Sequence, residues 1–172
     1  MTTAAEPTVG ELAVVVYELL LARGETVAVA ESLTGGGLGA ALTGVAGASA
    51  TFRGGVIAYA TELKAALLSV DPELLAERGA VDADVARAMA AGVRDRLGAT
   101  YGLATTGVAG PDPQDGHEPG EVHVAVAGPA GTGAVSRSVH LVLAGDRTAV
   151  RHGSVLGALD LLRSVLTGND VR

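Results

Sequence analysis

The chain has 172 residues, 48% of them hydrophobic but only 2% aromatic, with 25 glycines and a formal net charge of −7. That length is enough for one domain with its own core, and the composition makes it a core of Ala, Val and Leu. An acidic chain without a basic stripe argues against a nucleic-acid footprint, and the absence of cysteine removes thiol nucleophiles, zinc knuckles, iron–sulfur ligation and disulfides.

Met1 to Gly10 is short and polar and lacks the basic region of a secretory signal. Thr8 and Glu11 have capping-box spacing and open a helix that ends near Arg23–Gly24. Its apolar run, Leu12 to Leu21, is brief and contains Glu18, so it predicts a buried helix rather than a membrane span and a cytoplasmic protein. Thr26 to Ala30 predicts a buried strand, followed by the turn Glu31-Ser32-Leu33-Thr34-Gly35-Gly36-Gly37 and a helix to about Thr43. Gly54 to Ala60 is a second strand, and Thr61 starts a short helix carrying Lys64.

Asp71-Pro72 caps a helix that Gly79 ends, and Asp82 caps another that Gly98 stops. Gly102 to Thr106 is a third strand; the Gly/Pro/Asp loop 107–120 after it is too long for a hairpin turn and is a candidate lid. Glu121 to Ala127 and Ala134 to Leu143 form strands joined by a turn around Gly128-Pro129-Ala130-Gly131, and Gly145-Asp146 opens a last helix to about Leu166. Early alternation of helix and strand with a late hairpin predicts a single-domain α/β/α layered sandwich with a mixed sheet, its core spanning about 8–168.

Four segments could carry chemistry. Lys64 is the only lysine beside eleven arginines. An ammonium can lose its proton when buried, whereas a guanidinium cannot, so a lone lysine can mark a base; biased residue usage explains the count equally simply. A neutral lysine can deprotonate a serine without histidine or aspartate, and Ser49 and Tyr59 precede Lys64 in one segment. On spacing alone, a capping serine, a core tyrosine and a solvated lysine account for that segment better.

The turn from Glu31 to Gly37 lets backbone approach a ligand, but it is neither a Walker loop nor a dinucleotide fingerprint. Thr106 and Gly107 end a strand, where α/β sheets gather ligands. Arg147 and Arg151 lie one helical turn apart beside a helix N-terminus, an arrangement suited to phosphate or carboxylate, although from the residues alone a capping Asp146 with two solvated arginines accounts for it slightly better. The four histidines form no metal-type pair, and Asp112, Asp115, His117 and Glu118 share a loop without a recognisable ligand spacing, so no metal is expected.

Six segments occur in order: Ala30-Glu31-Ser32-Leu33-Thr34-Gly35-Gly36, Gly47-Ala48-Ser49, Gly55-Val56-Ile57-Ala58-Tyr59 with Lys64, Gly79-Ala80-Val81, Thr106-Gly107-Val108-Ala109-Gly110-Pro111 and Gly145-Asp146-Arg147. The series resembles the CinA C-terminal domain family, whose members include nicotinamide mononucleotide deamidases, over about Gly10 to Leu166. The resemblance is to the stand-alone form, without the larger N-terminal domain of many members. It implies hydrolysis of the carboxamide of nicotinamide mononucleotide to nicotinate mononucleotide and ammonia, without a cofactor. Carried over, Ser49 is the nucleophile, with Ser32 as the competing serine; Lys64 is the general base, and Tyr59 assists it. Ser32, Thr34, Gly35 and Gly36 line the pocket, Thr106 and Gly107 orient substrate, and Arg147, assisted by Arg151, holds the 5′-phosphate.

The family resemblance also implies a homodimer or higher homo-oligomer. Two departures stand out: Leu33 replaces the family's cysteine, and Ala60-Thr61 replaces a Ser-Asn pair. The alternatives are a nucleotide-binding module without turnover and a Ser–Lys hydrolase of another amide.

Overall fold

Valine and alanine alternate over residues 27–30 and 124–127, and there the two residue types face different layers of helices. The computed structural model describes residues 7–129, 131 and 135–169. Its sheet has five strands, β1 (Val27–Glu31), β2 (Phe52–Ile57), β3 (Tyr101–Gly107), β4 (Glu121–Ala127) and β5 (Ser136–Val142). In space they run β2-β1-β3-β4-β5, with β1 parallel to β2 and β3 and the β3–β4 and β4–β5 pairs antiparallel. This is the expected mixed sheet of an α/β sandwich.

Side chains alternate across a sheet, so each strand serves both layers. Val27, Val29, Leu103, Val122, Val124 and Val126 pack on one face with α1 (Val9–Arg23), α2 (Gly37–Thr43) and α6 (Arg147–Thr167). Ala28, Ala30, Ala104, Ala125 and Ala127 pack on the other, against α3 (Thr61–Leu68), α4 (Pro72–Arg78) and α5 (Ala83–Leu97). The small side chains let α5 lie very close to the sheet. A Cβ added at Gly102 would sit 1.8 Å from the Ala90 carbonyl oxygen, and one at Gly92 would sit 1.9 Å from that of Leu68.

Most boundaries follow local chemistry. Thr8 and Glu11 form the reciprocal capping box of α1, and Gly24 ends it in the left-handed region at φ 63°. Asp82 and Asp146 cap α5 and α6 through their side chains. The ends of β1, β3 and β5 shift from expectation by one or two residues, and β2 differs more. The second strand begins at Phe52 and ends at Ile57, so Tyr59 lies beyond it, and a short 3-10 turn over Ala48–Ala50 precedes it. Ala134, expected to begin β5, and Ala130 of the preceding turn lie outside the described residues. Among the described residues, no helix is long and apolar enough to cross a membrane.

The topology creates one crevice. From β1 the chain passes through α2 to β2 on one side, then returns through α3, α4 and α5 to β3 on the other. The connections part at the carboxyl ends of β1 and β3, the switch point where α/β sheets open a binding crevice.

Candidate active site

Ser32 emerges from the end of β1 at this switch point. Its N–H donates to the Thr105 carbonyl at 3.1 Å, and its own carbonyl accepts from Gly35 at 3.1 Å. Glu31, only 2% exposed, turns its carboxylate under the same turn. Oε2 accepts from the N–H groups of Gly36 and Leu38, each at 3.0 Å, and Oε1 from that of Gly39 at 2.8 Å. The first N–H groups of α2 are therefore held by an internal carboxylate, which suits the positive end of the helix.

This corrects the expected role of the glycine-rich turn. The N–H groups of Gly35 and Gly36 bond within the turn, and neither residue lines the crevice. Thr34 also points elsewhere: its buried hydroxyl lies 2.8 Å from that of Thr105, tying the turn to β3.

Lys64 reaches the crevice from α3 and is 1% exposed. Its Nζ donates to the Ala58 carbonyl at 2.9 Å and to that of Tyr59 at 3.4 Å, and stands 3.2 Å from Ser32 Oγ. Among the described residues no carboxylate forms an ion pair with it. Burial pulls its pKa from 10.5 down to about 8, opposed only by the nearby charge of Glu62. About one lysine in ten is then neutral at pH 7, against fewer than one in a thousand for an exposed one.

Ser32, rather than Ser49, is thus the serine that meets the lysine. Ser49 lies on the exposed 3-10 turn ahead of β2, with no hydrogen bond to Lys64. The reason is topological. Lys64 follows the carboxyl end of β2 whereas Ser49 precedes its amino end, and six strand residues span roughly 20 Å. Proximity in sequence here means opposite ends of a strand.

Tyr59 touches Lys64 through its backbone carbonyl and not through its phenol. The side chain is 56% exposed, and its hydroxyl accepts from Arg147 Nη2 at 3.1 Å. Arg147, the first residue of α6, also donates through Nη1 to the Gly110 carbonyl at 2.8 Å. It thereby ties the segment after β3 to the segment before α3. Arg151, one turn along, does not line the crevice. Its Nε donates to the Leu33 carbonyl at 3.1 Å and its Nη2 to that of Thr34 at 2.9 Å.

Ser32, Tyr59, Lys64, Thr106, Gly107 and Arg147 all line one crevice. The Thr106 hydroxyl donates to the Ala80 carbonyl at 2.6 Å, holding the Ala80-Val81 wall. The loop after β3 also lines the crevice, with Val108, Ala109, Gly110, Asp112 and Gln114; the sequence does not single out Asp112 and Gln114 as substrate-facing residues. Glu31 was also missed as a site residue. Its signal was a carboxylate ending an otherwise apolar strand just before the N-terminus of a glycine-rich helix. His117 pairs with Glu121 at 2.7 Å, and His123 stacks on His140 with ring centroids 4.6 Å apart. Among the described residues no group of three or more His, Asp or Glu side chains could hold a metal ion.

The family model for the CinA C-terminal domain matches residues 10–166. The chain belongs to the CinA C-terminal domain family. A CinA-like protein of Frankia casuarinae is 59% identical over 90% of this chain and 35% of its own length. One from Prochlorococcus marinus is 51% identical over 90% of this chain and 36% of its own. The chain therefore spans about a third of these curated relatives. Among solved structures, the competence damage-inducible protein A of Klebsiella pneumoniae superposes with a TM-score of 0.88 at 33% identity, covering 94% of this chain and 98% of that one. A CinA superfamily protein of Enterobacter cloacae gives 0.90 at 29% identity, covering 96% of both chains. This CinA C-terminal domain thus shares nearly the whole extent of those structures.

Proposed function

We propose that the protein hydrolyses the carboxamide of nicotinamide mononucleotide to nicotinate mononucleotide and ammonia, with Ser32 as nucleophile and Lys64 as its general base. The observation that carries this reading is a buried lysine with no ion-pair partner among the described residues, its Nζ 3.2 Å from Ser32 Oγ in a crevice at the sheet's switch point. The choice of substrate rests on the family and on the guanidinium at the crevice wall.

In this mechanism neutral Lys64 takes the Ser32 hydroxyl proton as Oγ attacks the amide carbon. Lys64 then returns that proton to the amide nitrogen, the C–N bond breaks, and ammonia leaves an ester on Ser32. Lys64 next takes a proton from water as the water oxygen attacks the ester carbon. It gives that proton to Oγ as the acyl carbon–Oγ bond breaks, which releases the nicotinate carboxyl group and restores Ser32 and neutral Lys64. The Leu33 N–H, which donates to no other group among the described residues, follows the nucleophile directly and is the donor assigned to the developing oxyanion.

The reaction needs neutral Lys64, so kcat/KM should rise with pH, level off above the lysine's pKa of about 8 and fall as protonation sets in below it. Rates measured from pH 6 to 10 check this; a profile flat through pH 8 removes Lys64 as the base. Arg147 uses two donors on Gly110 and Tyr59 and, as a guanidinium, has others for a phosphate. Arg147→Ala should therefore raise KM for the mononucleotide by about ten- to a hundredfold, the worth of a charge-assisted hydrogen bond. Any hydrolysis of nicotinamide riboside, which has no phosphate, should change far less; a fall in kcat alone would move Arg147 into the chemistry.

A further inference from the structure

The turn that carries Ser32 is held from both sides by ionisable side chains that do not enter the crevice. From beneath, the Glu31 carboxylate accepts from Gly36, Leu38 and Gly39 at 2.8–3.0 Å. From α6, the Arg151 guanidinium donates to the carbonyls of Leu33 and Thr34 at 3.1 and 2.9 Å. The anion therefore gathers the turn's N–H groups and the cation its carbonyls. Neither long side chain is replaceable by a smaller one without leaving several polar groups unmatched.

We propose that Glu31 and Arg151 are positioning residues that together fix the Ser32 turn, so that the serine hydroxyl stays within reach of Lys64. The proposal rests on Ser32 being the nucleophile. It assigns Arg151 to the turn instead of to a substrate phosphate, and it makes the α2 N-terminus an internal carboxylate site. Both residues sit next to atoms that must not drift, because a displacement of about 1 Å at a reacting group costs on the order of a hundredfold in rate. The arrangement is bidentate at both ends, so charge alone does not suffice. A lysine at 151 offers one ammonium where two carbonyls are bridged, and an aspartate at 31 is one methylene too short for three N–H groups.

The test reads serine reactivity separately from substrate binding. A fluorophosphonate forms an Oγ–P bond at an activated serine; its P–F bond breaks and fluoride leaves, while the hydroxyl proton passes to the base. Ser32 of the wild type should label. Arg151→Met and Glu31→Gln should label at least about tenfold more slowly and lose kcat in parallel, with KM for nicotinamide mononucleotide within about twofold of wild type. Arg151→Lys and Glu31→Asp should recover only part of the rate.

Folded variants that label at the wild-type rate overturn the proposal. So does an Arg151→Met enzyme whose KM rises for the mononucleotide but not for the riboside, since Arg151 would then touch the phosphate. Glu31 is fully buried, so thermal melting accompanies each variant, and partly exposed Arg151 carries the test should Glu31→Gln fail to fold. If the wild type labels at Ser32 but releases no ammonia, the proposed substrate falls, and the ratio of labelling rates still decides the positioning role.

Discussion

Lys64→Arg and Lys64→Met should each abolish ammonia release, by about a thousandfold or more, because a general base contributes roughly 10²–10⁴ in rate and neither replacement can accept the serine proton. Arginine is the more pointed change: it keeps the cation and the donors but remains protonated at every workable pH. Methionine fits an apolar burial better and serves as the control for a guanidinium too bulky for the site. The stability consequence has a definite sign. The folded pKa of about 8 lies below the unfolded value of 10.5, so between these pH values the unfolded chain binds more protons. Burial of the ammonium opposes folding below pH 8, and this penalty disappears as pH rises toward 10.5. Relative to Lys64→Met, the wild type should therefore gain stability between pH 8 and 10.5, measured by urea denaturation at both ends of the range. Parallel stability profiles would mean that the lysine is solvated.

The second large effect separates the two serines. Ser32→Ala should remove turnover by roughly 10⁴-fold, since a nucleophile and its base act as a unit and losing either removes most of their joint contribution. Ser49→Ala should retain activity within about twofold and leave stability nearly unchanged, as expected for an exposed side chain away from the site. Kinetics and melting on both variants decide the matter; the opposite pattern would return the nucleophile to the turn before β2 and require the crevice to rearrange.

Much of the frame was legible because its signals are local. Thr8 with Glu11, Asp82, Asp146 and the left-handed Gly24 act within a few residues of themselves, and helix ends followed from them. The site depended on long-range placement. Ser49 and Lys64 share a segment, yet β2 separates them, while Ser32 lies 32 positions from Lys64 and meets it because β1 and β2 run parallel. Arg147 and Arg151 share a helical face, as their spacing required, but one turn of α6 carries the first to Gly110 and Tyr59 and the second to the backbone of Leu33 and Thr34. No local pattern distinguishes those destinations. Glu31 illustrates the same limit: whether its carboxylate binds the helix that follows or a ligand depends on how the turn closes.

Cleavage of the carboxamide of a pyridine mononucleotide is the reaction proposed for the Ser–Lys pair at this crevice. The most direct measurement is product analysis of nicotinamide mononucleotide incubated with the purified protein in the presence of a chelator. Equal amounts of ammonia and nicotinate mononucleotide, absent with Ser32→Ala, are predicted. Release of free nicotinamide, or no ammonia above the Ser32→Ala background, would contradict it.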